Sequence, residues 1–220
     1  MTTTAVDRPR LHHRAVVLVS FTIAWNVIEG LVAVGAGLAA SSVALVSFGV
    51  DSSIEVLSAV GLFWRLRAAG PDATELEESE AERKALYVVA ATFFLLAAYI
   101  TVESITSLVS GEAPDRSAIG LVLAVLSLVI MPALAFTKRR TGTRMGSRAL
   151  QADAMETWVC SYLSLALLAG VGLHAAFGWA WADPVAALAM LPVILWEGWE
   201  TFGEAREGDE EISQTGMAAP

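Results

Sequence analysis

Cysteine and positive charge are what this sequence has least of. A single cysteine, Cys160, among 220 residues excludes an intramolecular disulfide, and it lies inside an apolar run. Lys and Arg number 14 against 23 Asp and Glu, for a formal net charge of −9. Much of the excess sits in two polar segments, Glu75 to Glu82 and Glu204 to Glu211, which read as water-exposed faces or disorder. Neither segment points to a nucleic-acid partner. No GxxxxGK(S/T) phosphate loop and no HExxH helix occurs, and no Ser–His arrangement lies within the apolar stretches. The N-terminal MTTTAVDRPRLHHR lacks a short apolar core with a cleavage site behind it, so no signal peptide is expected.

What is abundant is apolar sequence in long blocks; 55% of the chain is hydrophobic. Stretches of about 20 residues, the length a helix needs to cross a bilayer, occur at 15–38, 43–64, 86–109, 117–137, 149–173 and 184–203. The expected fold class is an all-α membrane protein with six transmembrane helices. Its parts are an N-terminal segment 1–14, a helical domain 15–205 and an acidic tail 206–220. All of the 14 basic residues except Arg116 then fall on one side of the membrane. By the positive-inside rule both termini are cytoplasmic, which suits a protein of the cytoplasmic membrane.

The ends of the spans carry their own signals. Asp183-Pro184 reads as an N-cap with proline at the first helical position of span six. Trp179 and Trp181 mark the outer interface, and Trp64, Trp196 and Trp199 the inner one. Pro132 and Pro192 lie within spans four and six, where kinks are expected.

The acids inside the spans are the unusual feature. Asp51 with Glu55, and Glu156 with Cys160, are spaced i, i+4, which puts each pair on one helix face. A carboxylate near the bilayer centre costs at least about 2.5–3.5 kcal/mol, and neither stretch contains a Lys or Arg to offset it. A cation, protons or a water-lined cavity must do so. Spans two and five run in opposite directions, so antiparallel pairing sets Asp51 level with Cys160 and Glu55 level with Glu156. That makes three oxygen ligands and one sulfur ligand at one depth, enough for a tetrahedral shell. Cys160 by itself also reads as a small packing residue. Asn26 and Glu29 lie near the middle of span one, and Glu103 about two turns from the outer end of span three. Asp153, near the start of span five, and Glu197 and Glu200, near the inner end of span six, read as interfacial acids. For Glu29, Glu103 and Asp153 a metal role and a structural role both stand. His12 and His13 read as solvated and cytoplasmic, and His174 lies at the outer end of span five.

SSVALVSFGVDSSIEV resembles the second helix of the cation diffusion facilitator family, in which an acidic-xxx-acidic motif binds metal. DAMETWVCSYLSLALLAG resembles the fifth helix, where a His-xxx-Asp or Asp-xxx-Asp pair completes the site, although here only the spacing matches. NVIEG in span one and WADPVAALAM at the start of span six extend the resemblance over about 15–203. It implies a six-helix, usually dimeric exporter of zinc and related divalent ions in exchange for protons. It also implies metal ligands at Asp51, Glu55, Glu156 and Cys160. The helix-five histidine of the family is absent, and the chain resembles a short branch that lacks the cytoplasmic metal-binding domain, so a homodimer would form through membrane helices. Gly30, Gly35 and Gly37 permit close helix approach, between protomers or within one.

The resulting expectation is a secondary transporter working by alternating access, without a tightly bound cofactor. The thiolate argues against magnesium and calcium and leaves zinc, cadmium, cobalt, iron and manganese, with zinc favoured by the family. Two alternatives are an intramembrane enzyme and a non-transporting or regulatory homologue whose acids only hold helices together. The expected lack of any Lys or Arg partner for those acids speaks against the second.

Overall fold

A computed structural model describes residues 8–69, 80–111 and 114–217. These residues form six helices: α1 (Arg8–Ala40), α2 (Val43–Ala69), α3 (Glu80–Ser110), α4 (Ala118–Met145), α5 (Arg148–Phe177) and α6 (Ala182–Met217). All six are long and apolar enough to cross a membrane. Only helices and closed barrels satisfy every backbone N–H and C=O within lipid, so an apolar chain of this kind has few other options. Hydroxyls inside the spans follow the same logic. Ser47 and Thr101 donate to the carbonyl one turn back on their own helices, both at 2.7 Å.

α1 packs along α2, α4 along α5, and α3 along α6. α2 also touches α3, α5 and α6, and 67% of its apolar window is buried, against 28–44% for the other five. It is therefore the central helix. Phe48, Ile100, Met131, Leu163, Leu167 and Met190 fill the core around it. Leu31, Leu95, Val109 and Val129 are exposed, as lipid-facing positions of a bundle must be.

Glycine sets the α1–α2 spacing. A Cβ on Gly37 would lie 2.7 Å from the Val46 backbone nitrogen, and one on Gly49 would lie 2.7 Å from that of Val34. Gly30 also packs on α2, with Ser53 Oγ 3.0 Å from its would-be Cβ, whereas Gly35 has no neighbour within 4 Å. Two of the three glycines of α1 thus serve packing within the protomer.

The α1–α2 connection is tight. Ser41 takes the left-handed conformation (φ 53°) and Ser42 N–H closes back on the Gly37 carbonyl at 2.9 Å, which ends α1. Ser42 Oγ then accepts from Leu45 N–H at 3.2 Å and starts α2. Asp183 belongs to this junction. Its carboxylate accepts from Ser42 Oγ and, at 3.3 Å, from Ala44 N–H. The expectation that Asp183 caps its own helix is therefore corrected: α6 already includes Ala182, and Asp183 serves the N-terminus of α2.

Three other expectations are revised. The basic run after span four is helical, because α4 continues to Met145 and only Gly146 and Ser147 separate it from α5. Gly146 supplies the left-handed C-cap (φ 72°), and Ser147 Oγ accepts from Leu150 N–H at 3.3 Å. His12 is not merely solvated: it lies in the first turns of α1, within 2.9 Å of the Leu66 carbonyl. α6 runs on through Met217, so the first part of the acidic tail continues the helix. Residues 75–79 of the other acidic segment lie outside the described residues.

Candidate metal centre

α2 and α5 run antiparallel and carry the two acidic pairs to facing positions. Ser58 Oγ donates to Glu156 Oε1 at 3.0 Å, and Thr157 Oγ1 donates to Glu55 Oε1 at 3.0 Å. Glu55 thus meets Thr157, one residue beyond the expected Glu156, while Glu156 meets Ser58, three residues beyond the expected Glu55. Asp51, Ile54, Glu55, Ser58, Phe93, Glu156 and Glu197 line one cavity between α2, α3, α5 and α6. Asp51 and Glu55 are each 6% exposed. The second oxygens of Glu55 and Glu156 are buried and accept no hydrogen bond. Four carboxylates around a narrow cavity, two of them with unused oxygens, form an electron-rich pocket suited to a hard or borderline cation. Among the described residues, however, no three His, Cys, Asp or Glu side chains are close enough together to hold a metal ion. A cation would have to draw the helices or side chains inward.

Cys160 is not among the cavity-lining residues. It is 1% exposed, and its Sγ lies 4.0 Å from Glu29 Oε2. Glu29 has partners for both oxygens: Trp25 Nε1 donates to Oε1 at 3.1 Å and Ser52 Oγ to Oε2 at 3.0 Å. Such a carboxylate is satisfied as it stands. Asn26, one turn earlier, is fully buried, and neither its amide nitrogen nor its amide oxygen has a partner. Glu103 is exposed on α3, away from the cavity.

Two placements made from sequence are corrected. Glu197 is half-buried and faces the cavity with Asp51, Glu55 and Glu156 rather than lying at the interface. Its signal was periodicity, since Met190, Ile194 and Glu197 follow an i, i+4, i+7 pattern and the first two are fully buried. Asp153 is not interfacial either. It is 5% exposed and pairs with Lys138 Nζ at 2.8 Å, while Lys138 itself is completely buried. The bundle acids were expected to lack a basic partner, and one of them has it. Met131, Leu134, Ala135, Lys138, Thr141 and Gly142 form a single buried stripe of α4. That stripe was readable, but the neighbouring Arg139 and Arg140 gave the segment the appearance of a cytoplasmic loop.

Six apolar helices around an acidic cavity define an integral membrane protein with a carboxylate-lined interior. The chain belongs to the cation efflux, or cation diffusion facilitator, family: the model of the cation efflux transmembrane domain matches residues 17–207. This is a family of transporters rather than enzymes. The chain is also 31% identical over 167 residues to an uncharacterized transporter of Synechocystis, covering 74% of this chain. It spans about half the length of that curated relative, 54%.

Proposed function

We propose that this protein is a secondary active transporter that exports divalent metal cations, zinc foremost, in exchange for protons. The observation that carries this reading is the cavity itself: Asp51, Glu55, Glu156 and Glu197 surround one space inside a membrane bundle, and no basic side chain lines it. Asp51, Glu55 and Glu156 supply oxygen ligands. Cys160, behind them on α5, adds a soft donor once the helices close on the ion, which favours zinc and cadmium over magnesium and calcium. Metal binding requires deprotonated ligands, so metal and protons compete for the same carboxylates. Alternating exposure of such a site to the two sides couples the two fluxes without ATP.

The termini face the cytoplasm, and the chain works in the cytoplasmic membrane as a homodimer through its membrane helices. The positive-inside count supports the orientation. A reporter fused after Pro220 should be active on the cytoplasmic side; activity only outside would overturn the topology. The transport reading is tested with purified protein in proteoliposomes, loaded in turn with zinc, cadmium, cobalt, iron and manganese. Zinc movement that follows an imposed pH gradient, with opposite proton movement, is expected. Flux indifferent to the gradient would reduce the protein to a uniporter, and no flux with any ion would overturn transport.

A further inference from the structure

Lys138 is the one basic side chain among the described residues that is fully buried inside the bundle, and it lies beside the acidic cavity. Its Nζ is 2.8 Å from Asp153 Oδ2 and donates to Thr157 Oγ1 at 2.8 Å. Thr157 Oγ1 in turn lies 3.0 Å from Glu55 Oε1 and 2.9 Å from the Asp153 carbonyl, two acceptors that share its single proton. One hydroxyl therefore separates a buried cation from a carboxylate of the cavity. The other Glu55 oxygen is buried and has no partner. A buried charge deprived of its partner seeks the nearest opposite charge, because low dielectric makes isolation costly.

We propose that Lys138 is a tethered competitor for the transported cation at Glu55, and that Asp153 holds it off the site. The pair would then set the apparent metal affinity. Lys138 and Asp153 are positioning residues in this scheme, acting on the metal through Thr157 and Glu55. The four-carbon stem of lysine supplies the reach: a rotation of the side chain moves Nζ from Asp153 toward Glu55 while α4 stays in place. With Asp153 present, the ammonium is engaged and Glu55 keeps an oxygen for the metal. Without it, the ammonium neutralises Glu55, and the metal must displace it.

The inference rests on the metal-transport reading, and competition gives it a signature that simple structural damage does not. Asp153→Asn in full-length protein in proteoliposomes is expected to raise the zinc KM about tenfold while leaving Vmax within about twofold, since saturating metal displaces a competitor. Lys138→Met should lower KM below the wild-type value. The double variant should return KM to within about threefold of wild type, because the two changes share one interaction and are not additive. Asp153→Glu, which keeps the charge, should also stay near wild type.

A loss of Vmax at unchanged KM in Asp153→Asn, or a double variant as impaired as Asp153→Asn, would overturn the proposal. If Asp153→Asn does not reach the membrane, Lys138→Met decides alone: a KM at or above wild type overturns it. Zinc binding by equilibrium dialysis on the detergent-solubilised protein separates the two readings. The affinity order Lys138→Met, wild type, Asp153→Asn without wild-type flux would overturn transport and sustain the pair. Equal affinities with intact wild-type flux would do the reverse.

Discussion

Ser58 on α2 and Glu156 on α5 are joined by a 3.0 Å hydrogen bond between the two acid-bearing helices. The bond uses one Glu156 oxygen and leaves the other buried and free. A carboxylate held in this way is oriented before any cation arrives. Ser58→Ala should therefore lower zinc affinity about tenfold, the scale on which partners of metal ligands act, with flux at saturating zinc largely kept. Concentration dependence of flux in proteoliposomes checks this.

Asp51 lines the cavity, is 6% exposed, and would supply a negative charge to a bound cation. Asp51→Ala should reduce zinc flux to background at equal protein level, because a dication in a poorly solvated site depends on that charge. Glu156→Gln should do nearly the same, and flux at matched membrane abundance is the measurement.

In the proposed site Cys160 would act as a soft thiolate donor beside the harder carboxylates. Cys160→Ser should keep transport but shift preference away from cadmium and zinc toward manganese and cobalt. Competition between these ions for flux reads the shift directly. An unchanged profile would leave Cys160 as a packing residue beside Glu29.

Asp183 holds the α1–α2 junction to the start of α6 through Ser42 and Ala44. Ser42→Ala removes the N-cap of α2 and should cost about 1 kcal/mol of stability. Asp183→Ala should cost about 1–3 kcal/mol, because it strands two buried donors. Thermal unfolding in detergent should show both losses, with the Asp183 variant the less stable.

Gly37 and Gly49 mark where α1 and α2 backbones touch, and a side chain at either position meets backbone nitrogen at 2.7 Å. Gly49→Leu should sharply reduce folded protein in the membrane, since overpacking of this kind costs about 1–3 kcal/mol or more. Gly61→Ala, where nothing lies within 4 Å, is the control and should be neutral. Immunoblots of membrane fractions compare the two variants with wild type.

Much of the fold was legible because the bilayer is a demanding solvent. Apolar blocks of the right length can only be spanning helices, so the number of spans and the antiparallel order of α2 and α5 follow from hydropathy and length. Asp51, Glu55 and Glu156 stood out for the related reason that unexplained charge in such blocks is expensive. Glu197 was less visible. It sits near a Trp-marked helix end, where acids are ordinarily solvated, and only the approach of α6 to α2 turns it inward.

The sequence by itself determined six spans, the acidic pairs and the one-sided distribution of basic residues, because each depends on local composition and helical period. Tertiary structure decided which polar groups meet. It took Lys138 from an apparent basic loop to Asp153, moved Asp183 from its own helix to the start of α2, and put Cys160 behind the cavity beside Glu29. Each outcome depends on helix rotation and the distance between neighbours. Those are set by glycine contacts such as Gly37 on Val46 and by the two-residue turn after α4, which composition does not encode.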